Sequence, residues 1–163
     1  MADDVADRTG ADAAVHERSP AQLSALYQEL ILDHYRRPRN KGAVASPDRA
    51  GAARNPLCGD EVSVTVALDG EGRLSDVRFT GRGCSISQAS ASMMTMLARG
   101  KTRDEVGALR RRVAALLTGD RAAANDESLG DARALAGVAN YPARHRCAAM
   151  GWQALAEALR LDP

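Results

Sequence analysis

Cysteine occurs three times in this chain, each time among small or polar neighbours: Leu57-Cys58-Gly59-Asp60, Arg82-Gly83-Cys84-Ser85 and Arg146-Cys147-Ala148-Ala149. Asp60 follows the first thiol by two residues and turns three candidate ligands into four. Three thiolates and one carboxylate are a donor set for a tetrahedral zinc or iron shell. If they converge, three distant stretches of chain must end at one place, and few arrangements of helices and strands allow that.

At 163 residues the chain is long enough to bury a core without disulfide staples. Aromatic residues are only 3% of it, so the core must be built from Leu, Val, Met and Ala. A net charge of +1 argues against a generic nucleic-acid binder. No apolar run reaches the length of a membrane span. Residues 1–18 carry five acids and no hydrophobic stretch, which speaks against a secretory signal. An odd number of thiols in such a chain fits a reducing cytoplasm, where they serve metal or redox chemistry.

The same residues 1–18 lack periodicity and read as a flexible tail ahead of a single domain spanning 19–163. Ser19, Pro20 and Gln22 make a helix start, with Leu23, Leu26, Tyr27, Leu30, Ile31 and Tyr35 at helical spacing up to Pro38. His34, near this apolar face, reads as a packing histidine. A basic cluster, Arg36, Arg37, Arg39 and Lys41, follows the helix end. Residues 42–57 read as loop with at most one weak strand near 50–54. Val62, Val64, Val66 and Leu68 alternate as a half-buried strand, Asp69-Gly70-Glu71-Gly72 turns, and Leu74–Thr80 returns with Val77 and Phe79 inward.

Gly81 and Gly83 are expected to break that strand before Cys84. Ser85 and Gln88 then look like a capping box, with Ile86, Ala89, Met93, Met96 and Leu97 as the helix's apolar positions. Thr102 and Glu105 open a further helix to Gly119, whose Arg110-Arg111-Arg112 run reads as a solvated face. Residues 120–130 read as a polar loop and 131–138 as a short helix. Pro142 starts the last helix, with Cys147 in its first turns. The fold class expected is α+β: a small antiparallel three-stranded sheet with helices packed on one face.

All three thiols thus fall at the ends of elements, where two helix N-termini favour anionic groups. The formal charge of such a site on a divalent metal is −2, which Arg82, Arg144 and Arg146 beside the thiols would offset. His145, the histidine nearest a cysteine in sequence, competes with Asp60 as the fourth ligand.

Residues 26–40 (Leu26-Tyr27-Gln28-Glu29-Leu30-Ile31-Leu32-Asp33-His34-Tyr35-Arg36-Arg37-Pro38-Arg39-Asn40), Asn55-Pro56-Leu57-Cys58-Gly59-Asp60 and Gly81–Ser90 resemble the NifU/IscU-like iron–sulfur assembly family. Within it the chain is similar to the SufU branch. Residues 101–122 resemble an inserted helical segment of that branch, and Tyr141–Ala148 resembles its third-cysteine motif. IscU-type members place a histidine directly before the last cysteine; here Arg146 stands there, which removes one potential cluster ligand.

The resemblance implies zinc held by Cys58, Asp60, Cys84 and Cys147. It implies a sulfur carrier that takes persulfide sulfur from a SufS-type cysteine desulfurase and serves a SufBCD-type assembly complex. Cys58, on a loop beside Gly59, is the expected acceptor and the ligand able to leave the metal, a partner histidine taking its place. The alternative is a scaffold on which a [2Fe–2S] cluster is transiently assembled on the same ligands.

Overall fold

The structure is a computed structural model that describes residues 20–57 and 59–162. The expected tail, the Ser19 cap and Cys58 lie outside the described residues. Helix α1 spans Pro20–Arg36, strands β1, β2 and β3 span Arg49–Asn55, Asp60–Leu68 and Leu74–Arg82, and α2 spans Ser85–Ala98. Helix α3 follows at Arg103–Leu117, then one helical turn, α4, at Arg121–Ala124, a 3₁₀ segment at Glu127–Asn140, and α5 at Pro142–Leu159. Among the described residues no helix is long and apolar enough to cross a membrane.

The three strands form one antiparallel sheet in the order β1-β2-β3. Alternation in the sequence decides its faces: Val62, Val64 and Val66 of β2 and Val77 and Phe79 of β3 are fully buried, whereas Ser63 and Thr80 face solvent. Helix α5 packs on β1 and β2 and against α2, and α2 contacts β3 and α1. The helices therefore cover one face of the sheet, as the sequence implied. Helix and sheet meet at Gly51 on β1, where an added Cβ would lie 2.3 Å from the Ala154 carbonyl oxygen and 2.5 Å from the Ala158 amide nitrogen.

Several local expectations hold with a physical cause in view. Thr102 caps α3 reciprocally with Glu105, and the Asp69 carboxylate accepts the amides of Glu71 and Arg73 in the β2–β3 turn. Others are corrected. β3 runs through Gly81 to Arg82, and only Gly83 breaks it. β1 is seven residues long rather than a weak strand, because its whole length pairs with β2. Residues 120–130 are not a loop: Asp120 and Asp126 cap α4 and the 3₁₀ segment by accepting the amides of Ala122 and Ser128. Gly130, outside helical geometry at φ 51°, kinks the segment that follows. The Arg110–Arg112 run is only partly free, since Arg112 pairs with Asp126 at 2.8 Å.

The apolar stripe of α1 is also corrected. Tyr35 is exposed, as is Met96 on α2, and the stripe instead ends on His34, which is completely buried. His34 is satisfied, as a packing histidine should be. Its Nε2–H donates to Asp131 at 2.8 Å, and its Nδ1 lies 2.8 Å from the Ser92 hydroxyl, whose oxygen also accepts the Arg39 amide. One ring thus joins α1, α2 and the 3₁₀ segment. The hydrogen bond from His34 holds the Asp131 carboxyl below its ordinary range.

A carboxyl depressed in the folded state stabilises the fold above its unfolded value, and that contribution is lost as pH falls through the folded value. Because Asp131 is partly exposed, Asp131→Asn is expected to cost only about 1 kcal/mol at neutral pH. The gap to the parent should close below roughly pH 4. His34→Ala should cost more, about 3 kcal/mol, by leaving a cavity and taking from the Ser92 hydroxyl its ring-nitrogen partner. Denaturant titrations of the three proteins across this pH range measure both effects.

Candidate metal centre

β2 begins at Asp60, paired in register with Asn55 of β1, and its side chain is 6% exposed. Across the sheet β3 ends at Arg82, and Gly83, at φ 153°, turns the chain into α2. A Cβ on Gly83 would fall 2.5 Å from Asp60 Cγ and 2.7 Å from Ser87 Oγ, so glycine leaves room for the carboxylate. Cys84 is the N-cap of α2, and its amide donates to Asp60 Oδ2 at 3.3 Å. The expected Ser85–Gln88 capping box does not form. The helix starts one residue too early for it, with Cys84 rather than Ser85 at the N-cap, and the Cys84 carbonyl accepts from the Gln88 amide and the Ser87 hydroxyl.

The third contributor arrives on α5. Pro142 opens that helix, Cys147 lies in its early turns and is buried, and the neighbouring Ala148 carbonyl accepts the Ser90 hydroxyl at 2.6 Å. That bond ties α2 to α5 beside the thiol. Where the helices meet, Gly151 lies so close to α2 that an added Cβ would come within 2.9 Å of Ala91 Cα.

The outcome is a cluster: one ligand atom each from Asp60, Cys84 and Cys147, all within 4.8 Å of one another. Four-coordinate zinc with bonds of about 2.0–2.3 Å separates its donors by roughly 3.3–3.8 Å. Two sulfurs and a carboxylate oxygen at this spacing therefore fit a single tetrahedral ion after small movements. Cys84 is exposed, while Asp60 and Cys147 are buried, so the cluster opens to solvent on one side.

Cys58 lies outside the described residues, and its neighbours are placed. Leu57 is 84% exposed, its amide donates to the Asn55 side-chain carbonyl at 3.1 Å, and the Gly59 amide donates to the Asn55 main-chain carbonyl at 2.9 Å. Among the described residues, His145 is not one of the converging donors, and its Nε2 is buried without a hydrogen-bond partner. Of the expected charge-offsetting arginines, Arg82 pairs with Glu61 at 3.4 Å and Arg144 lies over the Tyr141 ring, 5.9 Å from its centroid. Arg146 is exposed. Sequence reasoning missed Ser87 and Ser90. Their signal was a run of serines, Ser85, Ser87, Ser90 and Ser92, in a helix whose other residues are mostly apolar.

A three-stranded antiparallel sheet under helices, carrying a two-thiol, one-carboxylate cluster at one end, defines a small domain with a donor set that could hold a thiophilic metal. The chain belongs to the NifU-like N-terminal domain family, the IscU/SufU group, whose model matches residues 26–159. It is 42% identical over 137 residues to the zinc-dependent sulfurtransferase SufU of Bacillus subtilis, covering 83% of this chain and 90% of that one. It is 40% identical over 140 residues to the iron-sulfur cluster assembly scaffold protein IscU of Streptococcus pyogenes, covering 86% of each. Among solved structures, the Fervidobacterium islandicum protein designated FiSufU superposes with a TM-score of 0.72 at 32% identity, over 80% of this chain and 94% of that one.

Gly83→Ala should displace the Asp60 carboxylate. Zinc affinity, measured by chelator competition, is expected to fall at least about tenfold while far-UV circular dichroism stays that of the parent. Unchanged affinity would mean that Asp60 is not a ligand.

Proposed function

We propose that this protein is a zinc-dependent sulfur carrier, a sulfurtransferase working with a cysteine desulfurase in iron–sulfur cluster assembly. The observation that carries the reading is the convergence of Asp60, Cys84 and Cys147, with Asp60 two residues along the chain from Cys58. In this reading Cys58, Asp60, Cys84 and Cys147 hold the ion. Bound zinc would keep the thiols deprotonated and shield them from oxidation.

The chain's own residues divide the work. Asp60, fixed in β2, and Cys147, buried on α5, are holders, as is Cys84 at the α2 N-terminus. Cys58 is the acceptor. Its thiolate attacks the terminal sulfur of a persulfide on the desulfurase cysteine; the desulfurase S–S bond breaks, its thiolate leaves, and Cys58 carries the persulfide. The desulfurase is of SufS type, the receiver is a SufBCD-type assembly complex, and the reducing cytoplasm is where such thiols persist. The Bacillus subtilis relative supports this reading by its name.

The nearly equal similarity to an IscU favours a second reading, transient assembly of a [2Fe–2S] cluster on the same residues. Arg146, in the place where IscU-type members carry histidine, weighs against it.

Cys58→Ala should bind zinc more weakly, accept no sulfur detectable by intact mass, and fail to stimulate a SufS-type desulfurase. Stimulation equal to the parent's would exclude Cys58 as acceptor. Metal content of freshly purified protein separates the readings: zinc near one equivalent supports the carrier, iron with sulfide the scaffold.

A further inference from the structure

On the side of the molecule where α5 begins, a groove of about 550 Å³ runs between α1, the start of α2, and the 3₁₀ segment with the first turn of α5. Leu23, Tyr27 and Ile31 form one wall at helical spacing, and Val138 and Tyr141 stand among those opposite. Arg144 is the sole charged side chain lining it among the described residues. It is exposed, makes no ion pair among those residues, and is held at the groove by its stacking on Tyr141. The groove is thus apolar with one uncompensated cation at its mouth. A ligand that fits it carries small apolar groups next to a carboxylate.

Residues 1–19 of the chain have that chemistry. Of the 22 basic and 21 acidic residues in the whole chain, this segment holds Arg8 and Arg18 against Asp3, Asp4, Asp7, Asp12 and Glu17. The segment is therefore net acidic and the remainder net basic. Its apolar residues cluster beside acids, as in Asp12-Ala13-Ala14-Val15.

Placement agrees with chemistry. The segment joins the fold at Pro20, within four residues of Leu23 at the groove's end. The groove extends along α1 from Leu23 to Ile31, roughly 12 Å. Nineteen extended residues can reach roughly 60 Å, so a return path is within the chain's length. Tethering so close to the groove sets an effective concentration in the millimolar range, which lets even a weak contact form. The groove's size also argues against a second folded copy, since a stable dimer buries about 800 Å² on each partner.

We propose that this groove binds the chain's own residues 1–19, in cis, with the Asp12–Glu17 stretch on the apolar walls and an acid of that stretch on Arg144. Tyr141 and Arg144 precede Cys147 on the same helix. In sequence, Ile86 of the groove lies two residues beyond Cys84, and Arg144 three before Cys147.

A photo-crosslinking residue placed at Val15 of the full-length protein tests this. Mapping by mass spectrometry should find cross-links within one chain, to residues 23–31 and 134–144. Their yield should fall about fivefold in Arg144→Glu. It should recover when Asp12→Lys and Glu17→Lys are added to that variant. Cross-links between two chains, cross-links only elsewhere on the surface, or a yield indifferent to Arg144→Glu would each overturn the assignment. Arg144 is exposed, so folding does not confound these variants.

Discussion

The close contact between α5 and the elements beside it is the constraint on which the site depends. A zinc or iron ion accepts donors only over a few tenths of an ångström, yet the three described donors belong to a strand, a strand-to-helix turn and a distant helix. Small residues bring them within range. Gly51 admits the backbone of α5 against β1, Gly151 admits α2 against α5, and Ser90 fastens the two helices beside Cys147. Larger side chains at these contacts would still leave an amphipathic helix over a sheet. The donors would then stand too far apart to share one ion.

What the sequence made legible were features with short range. Alternating valines marked β2, Thr102 and Glu105 marked a helix start, and Cys84 and Cys147 with Asp60 marked the donors that converge, because each signal is carried by the residues themselves or by close neighbours. Less legible were features whose cause lies far along the chain. Cys84 opens α2 without a side-chain cap, and its amide is taken by Asp60 from another strand, which left the Ser85–Gln88 pattern without a role. His34 was recognisable as a packing histidine, but its partners Ser92 and Asp131 lie 58 and 97 residues away. The 3₁₀ segment, rich in alanine and glycine, has too weak a periodicity to announce its geometry.

The helices and the 3₁₀ segment between α2 and α5 are attached to the fold by polar as well as apolar contacts. Asp131 reaches back to His34 on α1, Arg112 on α3 holds Asp126, and Arg103 donates to the Leu159 carbonyl at the end of α5. The segment between the second and third cysteines is thereby held to the first and last helices. It also supplies one wall of the groove beside α1.

The contact at Gly51 has a consequence for how the molecule tolerates change. Ala154 and Ala158, which lie against it, are on the same rigid helix as Cys147, so the contact acts as the fulcrum of a lever. A side chain inserted there would tilt α5, and the tilt would reach the thiol as a displacement. With misplacement by about 1 Å able to cost about a hundredfold in a chemical step, position 51 bears on the candidate metal centre. It does so from the far end of a helix, touching neither ligand nor substrate.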